Sequence, residues 1–274
     1  MQNFSYHTHT NTLGIYDGRN TAAEMIQQAE NIDYVKMGIS NHLCFHPNIV
    51  LEQSQMFFAD FQKAADCYKR TVDEIRTASL NFKVDVKVGF EVDFFPSRQW
   101  RDLFEKLQKE IGADYYIGAT HFLRNKSEQY LMNLYYLHRS PVARIDEEYL
   151  TVYLNNYWDN IIAAIKSGYF SFIAHLDVCK LFGYCMTPEW NDRKLEVVET
   201  LAHYHQPCEL NTSGWTKVGE QHPEKWVLAE LAKRNVPIII SDDAHATQML
   251  AQYFERAESL LSELNYTNRF CPEF

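Results

Sequence analysis

The chain has no run of about 18 apolar residues free of charge, the length a helix needs to cross a bilayer, so neither a transmembrane helix nor a membrane partner is expected. Its start, MQNFSYHTHT, lacks a basic segment followed by an apolar one, and no secretory leader is read there. The six cysteines (Cys44, Cys67, Cys179, Cys185, Cys208, Cys271) are scattered, with no Cys-x-x-Cys pair among them. That pattern argues against a thiolate zinc knuckle and for small buried hydrophobes in a reducing, cytoplasmic setting. Positive charge is also short: 26 Lys and Arg stand against 36 Asp and Glu, a net charge of −10. A protein that grips long nucleic acid through many phosphates needs the opposite balance, so no nucleic-acid partner is expected. A small phosphorylated metabolite remains open as a partner, because bound cations reset the local electrostatics. No Pro/Gly/Ser-rich linker, low-complexity tract or internal repeat divides the sequence. At 274 residues and 46% hydrophobic, the chain can bury a large core and reads as a single domain over 1–274.

What is present is a rhythm. Seven short apolar runs each end on His, Asp, Glu or Asn: Asn3–His9, Tyr34–His42, Val84–Glu91, Tyr115–His121, Ser171–His175, Cys208–Asn211 and Val236–Asp243. Between them lie stretches with helical character: Thr21–Asn31, Gln53–Ala78, Ser97–Gly112, Ala143–Gly168, Asn191–His205, Pro223–Asn235 and Ala246–Leu264. Thr21 with Glu24 forms a capping box, Ser97 is a good N-cap, and Gly112 and Gly168 are good stops. Alternating strands and helices give a parallel sheet, and closing that sheet gives a barrel, here with seven units instead of the usual eight. The active site of such a barrel lies at the carboxyl ends of the strands. Leu123–Pro141 has no clean period and reads as a long loop on that face, with Cys179–Trp190 and Thr212–His222 rising beside it.

The strand ends carry the chemistry. Positions two apart on a strand point the same way, so His7 and His9 can chelate one cation. His42, Glu91, His121 and His175 end the next four runs, and Asp243 with His245, again two apart, ends the last. Six of the eleven histidines at strand ends point to a metal cluster at the barrel mouth. By the same alternation Asp243 faces the cluster, while Asp242 turns away as a supporting or structural acid. Asn211 reads as a hydrogen-bonding partner, and Asp177 as a residue that orients His175 or opens a helix. His203 and His205 read as helix-surface groups, while His46 and His138 sit in loops within possible reach of substrate.

These residues resemble the polymerase and histidinol phosphatase (PHP) family. The resemblance runs through HTHT at the start, Asn41–His42, Gly89–Asp93 (GFEVD), Gly118–Leu123 (GATHFL), Ala174–Gly183, Glu209–Gly214 (ELNTSG) and Ser241–His245 (SDDAH). The last four look most like the histidinol-phosphate phosphatase branch. The resemblance implies a distorted seven-stranded (β/α)7 TIM-like barrel and two to three divalent metal ions, zinc, manganese or iron. It assigns His7 and His9 to a first metal with Glu91 and Asp243. Glu91 would bridge to a second metal held by His121 and His175, and His42 and His245 would hold a third. Many relatives place another histidine where this chain has Ile15; Asp17, in the same loop, is the expected substitute.

The activity implied is hydrolysis of L-histidinol phosphate, a step of histidine biosynthesis, by a metal-bridging hydroxide. Glu91, Asp243 and His245 are then the catalytic candidates, the last two as proton relays. Arg124, Lys180 and Lys217 are candidates for phosphate binding, and His222, Phe122 and Trp215 for substrate contacts. Two rivals are a phosphodiesterase or nuclease on the same barrel and a non-enzymatic metal-binding protein.

Overall fold

In a computed structural model of the chain, the described residues are 1–49, 55–124, 131–133 and 147–274. Their strands are β1 (Phe4–Ser5), β2 (Lys36–Ile39), β3 (His42–Phe45), β4 (Phe57–Phe58), β5 (Asp85–Asp93), β6 (Tyr115–Ala119), β7 (Phe122–Arg124), β8 (Leu131–Asn133), β9 (Phe172–Ile173), β10 (Cys208–Asn211) and β11 (Ile238–Ser241). Seven of them form one parallel sheet in the order β1-β2-β5-β6-β9-β10-β11, nearly closed into a barrel with helices between the strands. Closure between the first and last strands is partial. Thr8 bridges Ala244, with His9 N–H donating to the Ala244 carbonyl at 2.8 Å. Below that bridge the Gln2 side chain stands in for a peptide group, donating to the Ile240 carbonyl (2.7 Å) and accepting from its N–H (3.2 Å). Lower still, Ile238 pairs with the tail around Arg269.

The second apolar run does not stop at His42. It breaks at Ser40–Asn41 and resumes as β3, which pairs with the upper half of β5 (His42 opposite Glu91) while β2 pairs with the lower half. The Glu91 N–H is shared by the Ser40 and Asn41 carbonyls at 3.2 and 3.1 Å, the mark of extra residues inserted in one strand. Asn41 turns to accept the Thr10 N–H at 2.7 Å. His42 therefore juts from a bulge beside Glu91. β5 likewise continues past Glu91 to Asp93. Part of the expected loop Leu123–Pro141 is an antiparallel hairpin, β7 with β8, and the remainder falls outside the described residues.

Among the described residues the α-helices are Ala22–Asn31, Phe61–Ser79, Arg98–Ile111, Glu147–Ser167, Asn191–Tyr204, Gly214–Lys217, Lys225–Lys233 and Phe254–Glu263. Thr21 and Glu24 form the expected capping box, Ser97 caps Trp100 N–H, and Gly112 and Gly168 close their helices with positive φ. Two starts differ from expectation. The helix expected from Gln53 begins at Phe61, capped by Asp60, because Phe57–Phe58 pair with β3 first. The helix expected from Ala246 begins at Phe254, because the buried Asp242 carboxylate captures the Ala251 N–H at 2.8 Å. Asp242 also accepts from Ser5 Oγ, so it is a structural acid facing away from the metal candidates. No described helix is long and apolar enough to cross a membrane.

Below the mouth the barrel interior is apolar, built from Tyr6, Tyr115, Ile117, Ala119, Phe172, Ala174 and Ile239, with Phe4, Phe270 and Phe274 packed beneath. Tyr115 spans this layer and donates to the Tyr6 carbonyl at 2.6 Å. Gly38 and Gly89 make room for it: a Cβ at either would fall within 2.4 Å of a Tyr115 side-chain atom. Tyr6, Tyr115, Ile117, Ala119, Phe172, Ala174 and Ile239 are all buried and bring no charge beneath the cluster, so charge concentrates at the upper rim.

Candidate metal centre

Glu91 organises the rim. It is 1% exposed, and its two carboxylate oxygens face different sets of imidazoles. Oε1 lies 2.8 Å from His175 Nε2 and 3.6 Å from His121 Nε2. Oε2 lies 3.0 Å from His42 Nδ1, 3.5 Å from His7 Nε2 and 3.6 Å from His9 Nε2. Asp243, from the turn after β11, reaches the other side of the same pair, its Oδ1 standing 3.2 Å from His9 Nε2 and 3.7 Å from His7 Nε2. Asp17 Oδ2 is 3.4 Å from both His42 Nε2 and His245 Nε2.

All nine side chains singled out as ligand candidates thus come together, in four overlapping groups: His7/His9/Asp243, His7/Glu91/His175, His42/Glu91/His121 and His9/Asp17/His42/His245. The overlap departs from the expected partition in three respects: His9 also joins the Asp17 group, His42 groups with Glu91 and His121, and His175 groups with Glu91 and His7 instead of with His121. The bulge at Ser40–Asn41 explains the second of these by pushing His42 toward β5.

The residues fit divalent cations on two grounds. Among the described residues, His7 Nε2 and both ring nitrogens of His9 are buried without a hydrogen-bond partner. Buried polar atoms seldom go unpaired unless something else binds them. The donor set, imidazoles with carboxylates and no thiolate, suits zinc, manganese or iron.

The ionisation states follow from the same packing. Burial alone would raise the Glu91 carboxyl, but His7, His121 and His42 hold it well below the carboxylate range. Asp243 is likewise held low against burial, first by Lys217 and then by His7. Asp17 is lowered by His42 and His245 in spite of burial. Burial disfavours the charged imidazole of His7, yet Glu209, Glu91 and Asp243 raise it well above the ordinary value. Asp17 and Glu91 do the same for His42. His9 goes the other way, to about 3, because burial and the neighbouring His245 both oppose its charge.

A second layer of acids holds the imidazoles. Glu209 Oε2 accepts from His7 Nδ1 at 2.9 Å, and its Oε1 accepts the His175 N–H at 2.8 Å. Asp93 accepts the His121 N–H at 2.7 Å and lies 3.3 Å from His121 Nδ1. Neither acid was singled out from the sequence, although strand alternation carried the signal: Asp93 is two beyond Glu91, and Glu209 two before Asn211. Asn211 donates to Glu209 (2.8 Å) and accepts from Ser213. Asp177 does not orient His175, which Glu209 does. It accepts from His222 Nδ1 at 2.7 Å, from Lys180 Nζ at 3.1 Å and from the Glu224 N–H at 2.8 Å.

The rim opens into a cavity of about 280 Å³. Met56, Phe57, Phe122 and Val178 form an apolar wall, and Ser213, Lys217 and His222 supply polar groups beside the ligand candidates. Lys217 Nζ stands 3.2 Å from Asp243 Oδ2. His222 Nε2 is buried with no hydrogen-bond partner among the described residues. Three substrate candidates lie elsewhere. Lys180 is buried, its ammonium committed to Asp177, the Gln221 carbonyl and Glu220, so it supports His222 from behind. Arg124 is exposed and lines a separate pocket with His46 and Ser97. Trp215 packs against Tyr253 beneath Arg256. His203 and His205 are exposed as expected, and His138 lies outside the described residues.

A barrel of this topology with this rim defines a class of metal-dependent hydrolase, and the sequence profile of the PHP domain matches residues 5–213. The chain belongs to the PHP family. It is 28% identical over 242 residues to the probable histidinol-phosphatase of Deinococcus radiodurans, covering 87% of this chain and 85% of that protein. Its fold is similar to that of a candidate histidinol phosphatase, hisK, from Listeria monocytogenes (TM-score 0.73, 16% identity, 92% of this chain and 99% of that one). It is also similar to histidinol phosphate phosphatase from Lactococcus lactis subsp. lactis, solved with zinc, L-histidinol and phosphate (TM-score 0.69, 14% identity, 98% and 95% covered).

Proposed function

We propose that the protein is a metal-dependent phosphomonoesterase that hydrolyses L-histidinol phosphate to L-histidinol and phosphate, a cytoplasmic step of histidine biosynthesis carried by a single domain. The observation that carries the hydrolase reading is Glu91, one buried carboxylate with an oxygen toward each of two imidazole groups. The substrate assignment rests on the kinship with the Deinococcus protein. His7, His9, Glu91, His121, His175 and Asp243 would hold two divalent ions, and Asp17, His42 and His245 a third. When bound, such ions activate a water and balance charge on phosphoryl oxygens.

The chain's own groups do the rest. Asp243 is ionised at neutral pH, so its carboxylate accepts a proton from the attacking water and can pass it toward the leaving oxygen. His245 borders it, Nδ1 lying 3.5 Å from Asp243 Oδ1, and extends that path to the rim. Lys217 places positive charge at the cavity wall, and His222 offers an imidazole nitrogen fixed in direction by Asp177. Phe122 and Phe57, edge to face at 5.0 Å, give an apolar wall against which the leaving group's ring can pack. A phosphatase assay on L-histidinol phosphate and a panel of other phosphomonoesters and a nucleotide diester, with metal-loaded protein and His9→Ala, tests the proposal. Equal rates in both proteins, or preference for the diester, would overturn it.

A further inference from the structure

We infer that Glu209 is a positioning residue that ties the ligands of two neighbouring cation positions together, so that the two are gained or lost as a unit. The inference rests on the metal-dependent reading above and goes beyond it, since Glu209 lines no part of the cavity and touches no reacting atom.

Glu209 lies on β10 and is 0% exposed. A carboxylate only accepts, so each group around it must donate. At Oε2 the donor is His7 Nδ1, at 2.9 Å. At Oε1 there are two, the His175 N–H and Asn211 Nδ2, each at 2.8 Å. The Asn211 amide is itself fixed, because its oxygen accepts from Ser213 N–H (3.0 Å) and Ser213 Oγ (2.7 Å).

This geometry has a chemical consequence. With the proton held on His7 Nδ1, the lone pair of the neutral ring is on Nε2, and Nε2 is the atom aimed between Glu91 and Asp243. His7 belongs to the group with His9 and Asp243 and also to the group with Glu91 and His175. Through Oε1 the same carboxylate sets the backbone from which His175 projects. One side chain thus fixes a ligand shared by both groups and the start of a ligand in one of them. Asp93 does the simpler version, holding the backbone N–H and ring of one ligand candidate, His121.

Glu209→Gln keeps the shape and exposes the logic. The glutamine oxygen must stay where two donors converge, so its NH2 group faces His7 Nδ1. His7 must then accept there, which moves its proton to Nε2 and removes the lone pair from the cation side. The effect reaches both groups because His7 belongs to both.

The test is titration of the metal-free protein with zinc under chelator competition, counting ions bound and their affinities, with circular dichroism as the check on folding. Wild type is expected to bind at least two ions tightly. Glu209→Gln should weaken two of them together, on the order of 10–100-fold. Asp93→Asn should weaken one. Nitrogen-15 spectra of the zinc-loaded wild type supply a second readout that needs no variant: His7 should carry its proton on Nδ1. Loss of only one ion from Glu209→Gln, wild-type affinity for both, or a zinc-loaded His7 with its proton on Nε2 would each overturn the inference. If wild type binds zinc and hydrolyses the phosphoester while Glu209→Gln titrates like wild type, this inference alone fails. If wild type binds neither zinc nor manganese nor iron in the same titration, the proposed function fails with it.

Discussion

Around Glu91, the side chains of His7, His9 and Asp243 are at most 7% exposed, whereas Asp17, His42 and His245 show 41%, 14% and 23%. The inner half of the centre is carried by strand ends and backed by buried acids; the outer half hangs on a loop and a bulge. Depth changes what each carboxylate can do. Glu91 sits where water cannot screen its charge, so its interactions with imidazoles and cations are strong and its removal leaves them uncompensated. Asp17 shares its site with solvent and therefore contributes less. An inner pair of ions that defines the centre, with an outer ion that exchanges more readily, is what this contrast predicts.

The largest expected effect comes from breaking the inner half. Glu91→Gln removes the one oxygen pair that faces both imidazole groups, and activity toward L-histidinol phosphate should fall by at least about a thousandfold. Added metal should not restore it, and the metal count of the purified protein should fall. A variant keeping more than a tenth of wild-type activity would erase the distinction between the halves. Asp17→Asn, by contrast, should lower activity by about 10–100-fold at limiting metal and recover much of it as zinc or manganese is raised. A deficit that ignores metal concentration would show that Asp17 does something other than hold the outer ion.

The inner half was the legible half, and the reason is geometric. Strand alternation ties sequence spacing to direction, so His7 with His9 could be read from the chain alone; Asp243 was read by the same rule, although it stands in the turn just past β11 with a positive φ. The same rule separated Asp243 from Asp242, which turns to Ser5 and Ala251. What escaped was set by tertiary packing. The break at Ser40–Asn41 carries no glycine or proline to announce it, yet it decides that His42 faces Glu91. Lys180 has the sequence context of a surface loop, but folding brings Asp177 and the Gln221 carbonyl around it. Arg124 follows the His121 ligand candidate closely and still points to another pocket, because β7 carries it past the rim.

A milder prediction concerns the cavity wall. Lys217 stands beside Asp243 and is about one-third exposed, so solvent screens part of its charge. Lys217→Ala should raise KM for the phosphoester by roughly 3- to 10-fold, with a smaller change in kcat, if its main role is to attract the phosphate dianion. A larger loss in kcat than in KM would move Lys217 into the chemical step. Lys180→Met should leave zinc affinity unchanged, since its ammonium serves Asp177 and His222 and no ligand candidate.

The smallest effect is the most direct measure of how charge is distributed between the two halves. In the metal-free protein His7 and His42 are raised well above ordinary histidine by Glu209, Glu91 and Asp17, which overcome burial, so both carry protons at pH 7. His9, lowered to about 3, is already neutral. Cations bind only the neutral ring, so loading must expel protons from His7 in the inner half and His42 in the outer half, but none from His9. Apparent zinc affinity should therefore rise with pH across the neutral range and level off only above the raised values of both rings. Calorimetric titration at pH 7 in two buffers of different ionisation enthalpy reads the proton count directly. His42→Gln should lower that count by about one and leave the inner contribution in place. Identical heats in the two buffers would mean that neither ring holds a proton, and that the carboxylates do not outweigh burial at either depth.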